Sequence, residues 1–256
     1  MSVVLWHIPI SHYNEKVRWA LELKGVGHER RAPPPPSHVA VALWLTRGAA
    51  HTFPVLEIDG RAIGDSTAII AAIEERFAGP PLIPDEPGER ARALALEEFF
   101  DERLGPYSRQ LVFHELRADD GGLRRFAATV MPDRLTRSDL AVSAFARGAA
   151  AFTRVRYRVG PEAAAAESRA RIAAAFDRLE SELESGAGDY LVGDRFTVAD
   201  LTAAALLAPV VAPPRAPAEP DPPPALVEYR DSLRGRCGFA WVEETFARHR
   251  GEPVRP

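Results

Sequence analysis

A single cysteine, Cys237, stands in 256 residues. One thiol excludes a disulfide framework and any CxxC redox or metal motif within the chain, and it fits a reducing compartment. Basic charge is not in excess. Lys plus Arg number 32 against 36 Asp plus Glu, for a net charge of -4 and a pI near 6.0. That balance gives no reason to expect nucleic acid as a partner, and there is no basic tail. The longest mostly apolar run, Leu201 to Ala212, contains a proline and is too short to span a bilayer. The N-terminus reads directly into a strand and lacks the charged-then-apolar pattern of a signal peptide. A soluble, cytoplasmic protein with no membrane partner is expected. No internal repeat is present. What the chain does have is 46% apolar residues, enough at this length for a sizeable core and for two domains. Arginine and acidic residues alternate along the helical stretches, as on solvated faces with local ion pairs.

The first eighty residues read as alternating elements. Val3 to Trp6 is an apolar run of strand length. Asn14 to Lys24 reads as a helix with Val17, Ala20 and Leu21 on one face and Gly25 at its end. His28 to Ala32 suits a short polar edge strand, and Pro33 to Pro36 interrupts the chain. Ser37 caps a helix through Leu45. Val55 to Ile58 and Arg61 to Ile63 are strands joined by Asp59-Gly60, a strong hairpin signal. Asp65 or Ser66 then caps a helix through Phe77, whose buried side is Ile69, Ile70 and Ile73. The order is β-α-β-α-β-β-α.

Residues 78–88, "AGPPLIPDEPG", form a proline- and glycine-rich linker. It separates a first domain, 1–79, from a second, 88–256, that reads as helical. Glu89 to His114 is one long helix or a broken one. Asp139 to Arg158 and Pro161 to Glu184 are two more, the latter with Pro161 at a favourable first-turn position. Leu226 to Leu233 and Ala240 to His249 close the chain. Residues 212–224, "APPRAPAEPDPPP", are a rigid extended connection.

Three short motifs carry more than secondary structure. Pro54 opens an apolar strand, either where no ladder donor is needed or as a cis proline that leaves the backbone of Phe53 open to an extended peptide. Asp65-Ser66 starts a helix. Both are ordinary N-cap residues; equally, the helix N-terminus binds a carboxylate and the aspartate an ammonium group, which suits a free α-amino acid end. In "RFTVADL", residues 195–201, Thr197 is an N-cap with Asp200 at the third helical position and Phe196 and Leu201 placed for a hydrophobic staple. That motif is a folding device with no chemistry assigned. Cys237 reads as a bystander.

In order and spacing, "FPVL", "GDS", the proline-rich linker, "YLVGDRFTVADL" and the closing "GFAWVEETFARHR" resemble the cytosolic glutathione S-transferases, bacterial members with a serine-type first turn among them. The resemblance implies an α+β thioredoxin-like N-terminal domain followed by an all-α helical bundle domain. It implies a homodimer, glutathione as cosubstrate with no metal, and small electrophilic or hydrophobic molecules as the other partners, in detoxification chemistry. The turn "SHYNEKVRW" is similar to the "CPFCxKVR"-type turn of related members. On that matching Ser11 takes the place of the reactive cysteine, His12 that of the proline and Asn14 that of the second cysteine. A hydroxyl donating to the glutathione thiolate stabilises the charged form and lowers the thiol pKa. Ser11 is the expected catalytic residue and Tyr13 its competitor, with Asn14 close by. Phe53, before Pro54, would pair its backbone with the cysteinyl unit. Asp65 and Ser66 would take the γ-glutamyl end, and His51, Arg47 or His38 the glycine carboxylate. Many members carry a lysine two residues before the proline, where Thr52 stands. Phe99, Tyr107, Phe113 and Phe152 are candidates for the electrophile pocket. The alternative keeps the fold as a non-catalytic ligand-binding or assembly module. A thiol–disulfide oxidoreductase is argued against by the serine at position 11.

Overall fold

The computed structural model describes residues 1–251 except Pro35, Pro36, Ala187, Ala218 and Pro220, so parts of both proline-rich stretches lie outside the described residues. A four-stranded sheet in the order β2-β1-β3-β4 is built from β1 (Val3–Trp6), β2 (Glu29–Arg31), β3 (Val55–Ile58) and β4 (Arg61–Gly64). β1 and β2 run parallel, joined by the crossover helix α1 (His12–Leu23). β3 lies antiparallel to β1, and β4 to β3. Asp59 and Gly60 take φ of 48° and 79°, the two left-handed residues of a tight hairpin turn.

Helices α1 and α3 (Ser66–Arg76) cover one face of the sheet over Leu5, Leu56 and Ile58. Helix α2 (Ser37–Leu45) covers the other over Phe53 and Val55. The rest is helical: α4 (Pro87–Arg103), α5 (Gly105–Ala118), α6 (Gly122–Val130), α7 (Asp133–Thr136), α8 (Asp139–Tyr157), α9 (Glu162–Ser185), α10 (Val198–Val211), α11 (Pro224–Leu233) and α12 (Cys237–His249). The fold is a thioredoxin-like domain followed by an all-helical one. No described helix is long and apolar enough to cross a membrane.

Helix α10 is buried on every side except at Pro209, which explains its uninterrupted apolar sequence. Its start is a complete capping box. The Thr197 and Leu191 N–H groups donate to the Asp200 carboxylate, both at 2.8 Å, and Ala199 N–H donates to Thr197 Oγ1. Val198 N–H donates to the Leu82 carbonyl at 2.7 Å, tying the 78–86 segment to this helix.

The stretch Glu89 to His114 is two helices broken at Leu104, the second of its two readings. Other elements differ from the sequence expectation. Pro161 caps α9 from outside its first turn. Helices α6 and α7 fill residues whose short apolar spacing gave no signal. The largest difference is in α1: besides Val17, Ala20 and Leu21, it also buries His12, Asn14, Glu15, Lys16, Arg18 and Trp19. Its polar side is buried because the helical domain covers it, and the charges there are paired. Lys16 pairs with Glu97 and Asp101 of α4. Glu15 pairs with Arg18 at 2.8 Å and with Arg250, beyond α12, at 2.6 Å. Trp19 Nε1 donates to the His249 carbonyl at 3.0 Å.

Candidate functional site

A cleft of about 1630 Å³ runs between the two domains. The loop 7–11 that leads into α1 forms one wall, and Arg18 holds its shape. The guanidinium donates to the carbonyls of Ile8, Pro9 and Ser11 at 3.3, 2.9 and 3.4 Å and contacts His7 Nδ1 at 2.9 Å. Burial, then Arg18 itself, pushes His7 down to about 3, so that ring stays neutral beside the arginine.

Ser11 is the N-cap of α1 by backbone only. Its carbonyl accepts from Glu15 N–H at 2.8 Å, while its side chain makes no cap hydrogen bond and lines the cleft. Tyr13 reaches the same cleft, but its hydroxyl donates to the Asp101 carbonyl at 2.8 Å. Burial pushes the phenol far up, with Asp101 adding to the effect. A Cβ on Gly105 would lie 2.2 Å from that hydroxyl, so a glycine there is what lets α5 close onto the ring. His12 Nε2 lies 2.9 Å from the Gly105 carbonyl. A carbonyl only accepts, so Nε2 carries a proton. Burial, then Arg109, pushes His12 down to about 3.

The structure turns Asn14 away from the cleft. It is fully buried, accepts from Ile8 N–H at 3.1 Å and donates to the Phe53 carbonyl at 3.3 Å. Asn14 therefore joins the Ser11 loop to the Pro54 loop and does not touch what enters between them. The Phe53–Pro54 bond is cis, the second of the two readings of Pro54. Phe53 and Pro54 line the cleft.

The third wall is the start of α3. Asp65 sits at φ 72°, and its Oδ1 accepts from both Thr67 and Ala68 N–H at 3.0 Å. Two of the helix's free donors are thereby used. Ser66 and Asp65 both line the cleft. The Thr67 hydroxyl donates to Glu97 Oε1 at 2.6 Å, the carboxylate that also holds Lys16. One buried network thus fixes the α3 start relative to α1.

The candidates for the fourth corner separate. Arg47 does not line the cleft, whereas His38 and His51 do. His38 is buried against Phe53 with Nδ1 unpartnered, and burial lowers its pKa. His51 is exposed, and Arg156 of α8 reaches its Nε2 at 3.2 Å. Of the aromatic candidates, Tyr107, Phe113 and Phe152 line the cleft, while Phe99 packs on Phe100. Cys237 is exposed at the start of α12, outside the lining. Sequence reading missed Arg109, Arg156, Tyr157 and the prolines at 213, 214, 217, 222 and 223 that line the cleft. An arginine among many on helical faces has no local signature that separates a cleft residue from a solvated one.

Among the described residues no three His, Cys, Asp or Glu side chains gather as a metal site.

Comparison with known proteins agrees on the architecture. The family model of the glutathione S-transferase N-terminal domain matches residues 5–81, and that of the C-terminal domain matches 162–232. A probable glutathione S-transferase of Nicotiana tabacum is 32% identical over 99 residues, 39% of this chain and 43% of that protein. A probable maleylacetoacetate isomerase of Caenorhabditis elegans is 26% identical over 188 residues, 73% of this chain and 69% of that protein. The chain spans less than half the length of the tobacco and potato relatives it matches. Among solved structures, glutathione transferase GSTFuA3 of Phanerochaete chrysosporium superposes with a TM-score of 0.64 at 18% identity over 99% of each chain. A glutathione S-transferase of Methylobacterium radiotolerans, in complex with glutathione sulfonate, superposes at 0.55 and 22% identity over 94% of this chain and 93% of its own.

Proposed function

The chain belongs to the glutathione S-transferase family, and from that premise we propose that it binds glutathione in the interdomain cleft and activates its thiol for attack on small electrophiles. The observation that carries this is the idle hydroxyl of Ser11: an N-cap serine whose side chain does not cap and faces the cleft. A hydroxyl donating to sulfur favours the thiolate, as does the positive end of α1. The thiol proton leaves to solvent. The thiolate sulfur then forms the new bond to the electrophile, and a leaving group departs where the electrophile carries one. Tyr13 is the weaker candidate because its proton is already given to Asp101.

Around that centre the remaining roles follow the chemistry of each wall. Ser66 and the free oxygen of Asp65 take the γ-glutamyl carboxylate and ammonium. The Phe53 backbone beside Pro54 pairs with the cysteinyl unit. The glycine carboxylate is met by Arg156, which supplies the cation that Thr52 does not, with His38 and His51 beside it. Asn14 and Arg18 position the turn. A solved structure of this fold that holds glutathione sulfonate supports the choice of ligand. A second copy of the chain completing a homodimer is part of the same reading.

Calorimetric titration with reduced glutathione at neutral pH, in two buffers of different ionisation enthalpy, tests it. Saturable binding with net proton release, lost in Ser11→Ala, is expected. Binding without proton release supports a carrier instead, and no binding at millimolar glutathione sinks the reading.

A further inference from the structure

Two arginines of the cleft lining, Arg109 and Arg158, are not required by any part of glutathione bound as above. Arg109 of α5 lies with its Cζ 4.2 Å from the centre of the Tyr157 ring and 5.6 Å from that of Tyr13. Its Nε is buried and has no partner. Four of the five acids on the same lining are otherwise engaged. Asp101 is held by Lys16 at 2.6 Å, Glu219 by Arg230 at 2.6 Å, Glu167 by Arg171 at 3.4 Å, and Asp65 Oδ1 caps α3. Among the described residues Glu102 forms no ion pair with Arg109 either. Rings that flank a guanidinium leave its in-plane N–H edge free, the edge that meets a carboxylate with two parallel hydrogen bonds. An arginine set in an apolar wall without a partner is costly unless an anion arrives.

The surroundings define the rest of that ligand. Phe113 stacks on Tyr157 at 5.6 Å, Phe126 meets Phe113 at 5.4 Å, and Phe152 meets Tyr157 edge-on at 5.7 Å. The cleft therefore presents an aromatic box with a cation at the side of the Ser11 turn.

On the glutathione reading above, whose two carboxylates have their own partners, we propose that Arg109 sets the specificity of this enzyme. Its electrophilic substrates are aromatic molecules that carry a carboxylate, and that carboxylate pairs with Arg109 while the rings of α5, α6 and α8 hold the aromatic part. A compound with the same aromatic body and a neutral amide in place of the carboxylate loses this pair.

The test uses the full chain with S-methylglutathione, whose sulfur cannot react, and two unreactive probes, 3-phenylpropanoate and 3-phenylpropanamide, titrated by calorimetry. The acid is expected to bind at least tenfold more tightly than the amide. Arg109→Gln removes that preference, Arg109→Lys retains part of it, and Arg158→Gln, at the other unassigned arginine of the lining, leaves it unchanged. Equal affinity of acid and amide for the wild-type chain overturns the proposal without recourse to any variant. So does a preference that survives Arg109→Gln, or one that disappears in Arg158→Gln. Loss of S-methylglutathione binding in Arg109→Gln with the acid preference intact overturns it too, and assigns the arginine to glutathione. If S-methylglutathione fails to bind the wild-type chain, the glutathione reading falls, and the acid–amide comparison run without it still decides the role of Arg109.

Discussion

Three described helices have a hydroxyl residue at the N-cap, Ser11, Ser138 and Thr197, and the first and last of them use it in opposite ways. At α10, Thr197 is fully buried, and its side chain, its backbone and Asp200 close on one another. At α1, Ser11 occupies the same N-cap position with extended backbone, yet its hydroxyl bonds nothing in the helix. A side-chain cap contributes roughly 1 kcal/mol. At α1 that stabilisation is forgone, and the loop is held from outside by Arg18 and Asn14. The difference teaches how to tell a folding device from a site: the first satisfies its own helix, the second is supported by its neighbours and left open to the cleft.

The comparison breaks most readily at its structural end. Asp200→Ala removes the acceptor for two buried N–H groups as well as the cap, and is expected to lower unfolding free energy by about 3 kcal/mol, read from urea denaturation. A loss under 1 kcal/mol would mean that α10 is held by packing alone. Ser11→Ala sharpens the other end. Unfolding free energy should change by less than about 0.5 kcal/mol, since no cap bond is lost. Conjugation of a reactive test electrophile should fall about 30-fold, the equivalent of about 2 kcal/mol for one hydrogen bond to a thiolate. A large stability loss with activity retained would reduce Ser11 to a second Thr197.

His12, next to Ser11, gives an effect of similar size that depends on pH. Its folded pKa of about 3 lies below the ordinary 6.5. Its contribution is therefore complete above pH 6.5 and is lost as pH falls toward 3, because the unfolded chain takes up a proton that the folded chain refuses. At pH 5 that amounts to about 2 kcal/mol. His12→Gln, which still donates to Gly105, should shrink the stability difference between pH 7 and pH 5 by that amount. An unchanged difference would mean that the ring is not held neutral. The smallest effect belongs to Tyr13→Phe: about 1 kcal/mol of stability from the lost bond to Asp101, with conjugation within about threefold of wild type. A loss of activity larger than that of Ser11→Ala reverses the assignment.

Local signals were legible in the sequence wherever the physics is local. Asp59-Gly60 marks its hairpin because two adjacent left-handed residues suit Asp and Gly. Thr197 and Asp200 mark their helix because the capping box closes within four residues. Helices α6 and α7 escaped notice because their apolar residues are few and stand outside the main core, with Phe126 and Val130 lining the cleft instead. The buried polar face of α1 was illegible for a different reason. Lys16, Glu15 and Arg18 look like a solvated stripe, and only Glu97, Asp101 and Arg250, distant in sequence, make them an interior. The candidate site divides the same way. Residues 11, 13, 53, 54, 65 and 66 sit in short motifs, and the structure brings them to one cleft. Asn14 belongs to the same motif but faces inward, since its amide spans two loops that no local rule relates.

By itself, the sequence determined the elements that carry local signals, their order and the residue types at each turn, because caps, hairpins and apolar spacing act over a few residues. Tertiary structure alone decided which hydroxyl stays free, which charges are interior and which arginine is left without a partner. Each of those depends on what packs against a side chain from far along the chain: the Asp101 carbonyl accepting from the Tyr13 hydroxyl, Gly105 making room for it, and Tyr157 coming to lie on Arg109.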